Sequence, residues 1–205
     1  MPNFLTHLAV AKRYADKNNL KGDDARAFFY GNVYPDLGAD ADKSDRHYYF
    51  ATRKRTSVGE LTREEFGKNR IDFKKFFTCQ KIKTPFEKGV LLHLIVDSKC
   101  YPAVLDMNRF YDISKKGVRP RWVVTTTFNS INDYLKQKYN IDFDMTGVKD
   151  VIQSLLAEWE KENGEIPYVN LLDSPESIKR LDDFIENISD INLDEFVVSI
   201  KQQPQ

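Results

Sequence analysis

The longest hydrophobic run of the chain lies within residues 84–100 and predicts a helix with a clear start. Thr84 is a favourable N-cap, Pro85 suits the first helical position, and Glu87 stands where a capping box places an acidic residue. Residues 89–97 are apolar on nearly every side, which indicates a buried central helix. The run is too short and too interrupted to cross a membrane.

Apolar residues at helical spacing predict two more helices before the central one. The first is capped by Asn3 and carries His7 on its apolar stripe, so this imidazole is expected to face the interior. The second is expected to open at Asp24 and to cover residues 25–32. It should end before Pro35, because the residue that precedes a proline is disfavoured in the helical conformation.

After the central helix, the pattern predicts an irregular stretch over residues 102–120 and then three more helices. A last short turn of helix is expected to start at Asp194. The sequence shows neither an internal repeat nor the alternation that is typical of strands. The three helices are predicted over residues 121–139, 146–164 and 174–188.

These elements indicate an all-α fold in one domain that covers residues 1–205. The length is sufficient for one well-buried core, and no linker rich in Gly, Ser or Pro divides the chain. The polar residues suited to chemistry fall in a first half of about residues 1–100. An acidic helical half follows over about residues 120–200.

Composition and charge narrow the class of protein. Two cysteines without a paired motif predict neither a disulfide framework nor a thiolate zinc site. The N-terminal sequence lacks the pattern of a signal peptide, so a cytoplasmic protein is expected. The net charge is zero, but residues 43–83 hold twelve Lys and Arg against five Asp and Glu, and residues 141–200 hold four against fifteen. A solvated surface can have this pattern; alternatively, a basic rim would attract an anionic substrate or allow peripheral contact with an anionic membrane.

All three histidines of the chain lie beside apolar sequence that is expected to face inward. His93 and Asp97 are one turn apart on the central helix, where an unpaired carboxylate would be costly to bury. The two could hydrogen-bond with each other in the core. Alternatively, they could join His7, His47 and Asp36 around a cation. Imidazole and carboxylate ligands together suit zinc, iron or manganese.

The order of these motifs resembles the zinc-dependent phospholipase C family. The resemblance covers about the first hundred residues and rests on Thr6-His7, Gly-Asn-Val-Tyr-Pro-Asp over residues 31–36, His47-Tyr48 and His93-x-x-x-Asp97. It implies an all-α fold shared with single-strand nucleases and a zinc cluster that hydrolyses phosphate esters. It also implies that one zinc binds four of the residues and that a second zinc binds His7 and shares Asp97 as a bridge. The four ligands of the first zinc would be Asp36, His47, His93 and Asp97.

The chain departs from this family at the third metal. The family supplies two further histidines and a glutamate downstream, whereas this sequence has no histidine after His93. Asp106, Asp112 or Glu158 could substitute, but nothing in the sequence requires it. The expectation is therefore a reduced site with one or two ions.

The leading functional hypothesis is a metal-dependent phosphoester hydrolase that acts on a phospholipid head group, a nucleotide or another small phosphoester. Asp36 would serve as general base, as the resemblance implies, and Arg46 would hold a phosphate oxygen. No specific nucleic-acid partner is indicated. A nucleotide phosphohydrolase of the HD type is a rival, but its adjacent His-Asp pair is absent. The other rival is a non-catalytic helical module, braced by a metal or by buried hydrogen bonds, whose acidic half binds a partner.

Overall fold

Helices make up most of the chain that the structure, a computed structural model, describes: residues 3–37, 45–50, 62–66, 71–142 and 168–202. No strand occurs within these ranges, and a single bridge joins Tyr49 to Ile71. The all-α class predicted from the sequence is confirmed. In chain order the helices are α1 (Phe4–Lys17), α2 (Gly22–Val33), a 3₁₀ turn (Tyr34–Asp36), α3 (Arg63–Phe66), α4 (Phe73–Cys79), α5 (Pro85–Val104), α6 (Met107–Lys115), α7 (Pro120–Asn129), α8 (Asn132–Tyr139), α9 (Pro175–Ser189) and α10 (Leu193–Lys201).

The central helix α5 forms as its sequence predicts. Thr84 accepts a hydrogen bond from the Glu87 amide, and the Glu87 carboxylate accepts one from the Thr84 amide, so the capping box is complete. The apolar body is buried, with Leu91, Leu92 and Leu94 fully shielded from solvent. No described helix is long and apolar enough to span a membrane.

Helices α2 and α5 cross at two glycines that allow their backbones to meet. A Cβ atom on Gly31 would lie 2.0 Å from the Phe86 carbonyl oxygen, and one on Gly89 would lie 2.1 Å from the Phe28 carbonyl oxygen. Both distances are well inside van der Waals contact, so any larger side chain would push the helices apart. This close approach brings the C-terminal end of α2 and the turn at Asp36 against the middle of α5.

The remaining helices complete the core around this pair. Helix α1 packs against α2, α5, α8 and α9, and α9 also contacts α5. The buried face of α1 carries Leu5, Leu8 and Ala11 together with His7, as its apolar stripe predicts. The N-cap expected at Asn3 is confirmed, since its side chain accepts a hydrogen bond from the Thr6 amide at 3.1 Å.

Several predicted boundaries are wrong. Helix α2 begins at Gly22, before Asp24, and the stretch over residues 102–120 contains helix α6, which Asp106 caps through the amides of its first turn. The single helix predicted over residues 121–139 is divided into α7 and α8 by a break at residues 130 and 131. The predicted helix over residues 146–164, with Glu158 inside it, lies outside the described residues.

Candidate metal centre

Five polar side chains from four segments of the chain meet beside the α2–α5 crossing. Helix α1 supplies His7, the turn after α2 supplies Asp36, the segment 45–50 supplies His47, and α5 supplies His93 and Asp97. The three histidines are fully buried, and the side chain of Asp97 is 3% exposed. The structure thus brings together the five residues that the sequence proposed as ligands of the first two metal ions.

The segment 45–50 turns the His47 side chain inward. The residue that follows, Tyr48, has an unusual backbone conformation. Tyr48 has a positive φ of 51°, in the left-handed region that disfavours side chains with a Cβ atom. Its ring packs edge-on against Phe76 of α4, with centroids 5.0 Å apart, and its carbonyl oxygen accepts a hydrogen bond from the Asp72 amide at 2.8 Å. These contacts hold Tyr48 on α4 while His47 points to the cluster.

Separations between the ligand atoms match those expected around one ion. The Nε2 atom of His47 lies 3.3 Å from Asp36 Oδ1, 3.3 Å from Asp97 Oδ2 and 3.2 Å from His93 Nε2. His93 Nε2 is 3.6 Å from Asp97 Oδ2. Two ligands that each lie about 2.1 Å from a tetrahedral zinc are separated by about 3.4 Å. His47, His93 and Asp97 can therefore hold a metal ion, and His7, Asp36 and His93 form a second group that can hold one.

Hydrogen bonds between these side chains do not account for the cluster. Within the described part of the chain, both Asp97 oxygens, Asp36 Oδ1 and both His7 nitrogens lack a hydrogen bond despite their burial. Burial of a carboxylate without partners is costly. The His47 Nε2 atom can carry only one hydrogen, which cannot be directed at three acceptors at once. The alternative in which His93 and Asp97 simply satisfy each other in the core is not supported.

Electrostatics favours the protonation states that bind a cation. Burial would raise the pKa of Asp97, but positive charge at His93 and His7 holds it well below the ordinary value. Burial also opposes ionisation of Asp36, and the contact with His47 nevertheless lowers its pKa. Burial, together with the proximity of His93, lowers the pKa of His7. Ionised carboxylates and a neutral imidazole are the forms that coordinate metal ions.

The guanidinium group of Arg46 does not point to the cluster. Its Nη1 atom donates a hydrogen bond to the Leu37 carbonyl oxygen, and its Cζ atom lies 4.5 Å from the centre of the Tyr34 ring. In this position Arg46 attaches the segment 45–50 to the end of α2, beside the turn that carries Asp36. Its role in holding a phosphate oxygen stays a prediction.

The residues considered as substitutes for a third metal site lie elsewhere. Asp106 caps α6, and Asp112 forms an ion pair of 2.6 Å with Arg63. Neither belongs to the groups of His and Asp that could hold an ion among the described residues. Glu158 lies outside those residues.

Sequence reasoning did not identify the part played by Asn32. Its backbone carbonyl oxygen accepts a buried hydrogen bond of 2.7 Å from His93 Nδ1. Every residue has a backbone carbonyl group, so the identity of residue 32 does not indicate that its carbonyl oxygen contacts His93. Two glycines inside predicted helices, Gly31 and Gly89, were the available sign of a close backbone approach.

Comparison of the chain with models of protein families, with curated proteins and with solved structures finds no match. The interpretation of the cluster therefore depends on its own geometry and chemistry.

Proposed function

We propose that this chain is a metal-dependent phosphoester hydrolase with a reduced site of one or two ions, zinc being the leading candidate. The observation that carries the proposal is the convergence of three imidazoles and two carboxylates beside the helix crossing, where both Asp97 oxygens and Asp36 Oδ1 accept no hydrogen bond. The resemblance of the first hundred residues to zinc-dependent phospholipase C supports the same reading, including that type of helical fold.

Ligand chemistry supports zinc, with iron and manganese as alternatives. Imidazole and carboxylate donors suit borderline and hard divalent ions, and the cluster contains no thiolate that would favour a soft metal. The free thiol of Cys100 is buried, and burial raises its pKa. A neutral thiol of this kind is a poor ligand.

The orientation of two rings supports a second ion. His7 and His93 are stacked with centroids 3.9 Å apart and planes within 8° of parallel. Because an imidazole lone pair lies in the ring plane, two stacked rings direct their lone pairs along separate parallel planes, and this arrangement favours different ions for His7 and His93 although their ligand atoms lie close together. Asp97 faces both sides, with Oδ1 3.2 Å from His7 Nε2 and Oδ2 close to His47 and His93. Asp97 would thus be available as a ligand on both sides.

Zinc held by these residues would supply Lewis-acid chemistry: it would lower the pKa of a water ligand and polarise a phosphoryl oxygen. The five residues would have different roles in catalysis. Asp36 has the most exposed side chain of the five, at 9%, and is therefore the one that would meet substrate and accept the proton of the attacking water. His7, His47, His93 and Asp97 would hold the ions and exclude bulk water. Arg46, beside the Asp36 turn, would bind phosphate only after exchanging its backbone partners.

Charge on the described surface supports an anionic substrate. A phospholipid head group or another small phosphoester is anionic, and the exposed lysines at positions 75, 81 and 83 leave positive charge on the face of α4 and the segment before α5. The same charges would support peripheral contact with an anionic membrane. Much of the basic region over residues 43–83 lies outside the described residues.

A second candidate function is a non-catalytic helical module braced by the metal. The closure of the cluster favours this candidate, since the side chains of the five ligands are between 0% and 9% exposed. A catalytic site needs an open coordination position, whereas a structural site is closed. Access of a phosphoester to the ions therefore separates the two candidates.

One experiment tests both parts of the proposal. Untagged protein is loaded with zinc, its metal content is measured by mass spectrometry, and hydrolysis of a soluble phosphodiester, a phosphomonoester and phospholipid vesicles is assayed. His93→Ala is expected to lose both metal and turnover, whereas Asp173→Asn, which changes an exposed carboxylate on the surface, should retain both. Stoichiometric zinc without turnover would support the braced module. Full turnover in His93→Ala would refute the proposal.

A further inference from the structure

The Asn32 carbonyl determines which nitrogen of His93 carries its hydrogen. His93 Nδ1 lies 2.7 Å from this oxygen, and both groups are buried. A carbonyl oxygen can only accept a hydrogen bond, so Nδ1 must be the donor. In the neutral ring, Nε2 then carries the free lone pair. That atom is the one that lies 3.2 Å from His47 Nε2 and 3.6 Å from Asp97 Oδ2, at the centre of the cluster.

The two glycines of the helix crossing set this contact. Gly31 immediately precedes Asn32 on α2, and Gly89 lies one helical turn before His93 on α5. A second, longer hydrogen bond of 3.5 Å runs from Asn32 Nδ2 to the Gly89 carbonyl oxygen at the same crossing. Because a Cβ on either glycine would overlap the opposing backbone, the distance between the helices depends on both residues remaining glycine.

We propose that the Gly31–Gly89 crossing and the Asn32 carbonyl form a positioning device that holds His93 as the Nδ1–H tautomer, with Nε2 aimed at the ion. Asn32 and the glycines touch neither ion nor substrate in this arrangement; they act through His93. Hydrogen bonding of the distal ring nitrogen is a general means of orienting a histidine ligand. The part of the proposal that concerns metal affinity rests on the proposed function, whereas the tautomer is a property of the protein without metal.

The tautomer can be read directly by nuclear magnetic resonance. Long-range ¹H–¹⁵N correlation spectra of metal-free protein, with His93 assigned from the signals absent in His93→Gln, distinguish a protonated ring nitrogen from an unprotonated one. We expect His93 Nδ1 to be protonated, Nε2 to be unprotonated and the Nδ1 proton to exchange slowly. An Nε2–H tautomer, or a rapidly exchanging mixture of the two, would overturn the proposal whether or not the protein binds a metal.

A pair of glycine variants tests the role of the crossing. Gly31→Ala should separate the helices, mix the tautomers of His93 and weaken zinc binding about 10- to 100-fold. Gly117→Ala is the control: Gly117 has a φ of 97°, which strains alanine, but nothing lies within 4 Å of the added Cβ. It should lose stability and keep both the tautomer and zinc affinity.

Unchanged tautomer and affinity in folded Gly31→Ala would contradict the role of the crossing. Should Gly31→Ala fail to fold, the wild-type tautomer decides the proposal. Absence of zinc binding in wild-type protein with the expected tautomer would remove the proposed function and leave the positioning of His93 intact. The two failures are therefore distinguishable.

Discussion

Two carboxylates in this molecule have opposite surroundings. Asp182 on α9 accepts hydrogen bonds from Tyr134 at 2.5 Å, Lys138 at 2.5 Å and Tyr139 at 2.9 Å. Asp97 on α5 is more deeply buried, yet neither of its oxygens accepts a hydrogen bond from any described residue. Each carboxylate stands at the centre of a polar group between helices, with the Asp182 side chain 18% exposed and the Asp97 side chain 3% exposed, but only the group at Asp182 is complete.

The difference lies in the chemistry of the neighbours. Lysine and protonated phenols are donors, and burial together with Asp182 raises the pKa of Tyr139, so this phenol stays protonated. The neighbours of Asp97 are imidazole nitrogens, one of which must present a lone pair because its ring is fixed by Asn32. Lone pairs and carboxylate oxygens repel each other unless a cation lies among them. In a structural network the buried polar side chains form hydrogen bonds with one another. In a candidate metal site, buried acceptor atoms face each other and no donor lies between them.

The largest expected effect is on metal binding. Asp97→Asn removes the carboxylate that faces both His7 and His47, so zinc affinity should fall by more than the roughly 10- to 100-fold typical of a group that only supports a ligand. Asp182→Asn, the matched change at the complete network, should leave affinity unchanged. Isothermal titration calorimetry on the metal-free proteins measures both. Equal losses of zinc affinity in the two variants would show that Asp97 has no special part in metal binding.

Zinc should stabilise the protein in a way that depends on Asp97. At a free zinc concentration about 100 times the dissociation constant, the gain is about 2.7 kcal/mol. For a chain of this size such a gain corresponds to an increase in Tm of roughly 5–10 °C. Thermal unfolding followed by circular dichroism should show this increase in wild type and in Asp182→Asn. The comparison fails if Asp97→Asn shows the same increase.

In the metal-free protein, substitution of Asp182 should reduce the free energy of unfolding more than substitution of Asp97. Asp182→Ala leaves Tyr134, Tyr139 and Lys138 without their acceptor and should lower the free energy of unfolding by about 1–3 kcal/mol. Asp97→Asn replaces a buried carboxylate that accepts no hydrogen bond with a neutral amide and should cost less than the change at Asp182. Urea unfolding of the metal-free proteins provides the measurement. A larger loss in Asp97→Asn would indicate that the cluster is itself a structural network.

The smallest effect concerns pH. The folded protein raises the pKa of Tyr139 above that of the unfolded chain, so the stability from this group is fully present below about pH 10 and is lost as the pH rises through the folded value. Tyr139→Phe should cost about 1 kcal/mol at neutral pH and reduce the fall in stability above pH 10. Urea unfolding between pH 8 and pH 11 tests this expectation. An identical pH dependence in wild type and variant would contradict it.

The sequence predicted which polar residues lie together in the interior better than it predicted the helix boundaries. His7, His93 and Asp97 stand out because polar side chains on apolar helix faces need a physical reason. His47 and Asp36 stand out because each lies beside an aromatic segment. The five residues form two groups that share His93. Ligand types are written in the sequence, whereas their separation depends on how helices far apart in the chain approach each other.

The misplaced boundaries have local causes. The break between α7 and α8 falls at Ser130 and Ile131, and neither residue interrupts helical periodicity in the sequence. Helix α6 was not expected because Asp106, which caps it, was considered only as a possible ligand. The Asn32 carbonyl could not be predicted, since a main-chain contact depends on the crossing of α2 and α5 rather than on a residue type.

Closure of the cluster also determines how quickly an ion could leave it. Only the Asp36 side chain reaches 9% exposure, and the three imidazoles are fully shielded. A chelator in solution therefore has no direct approach to the ligands, so local opening of the fold must precede release. The rate of metal loss should then become independent of chelator concentration and equal the opening rate. The fold would retain its ion by a kinetic barrier as well as by affinity.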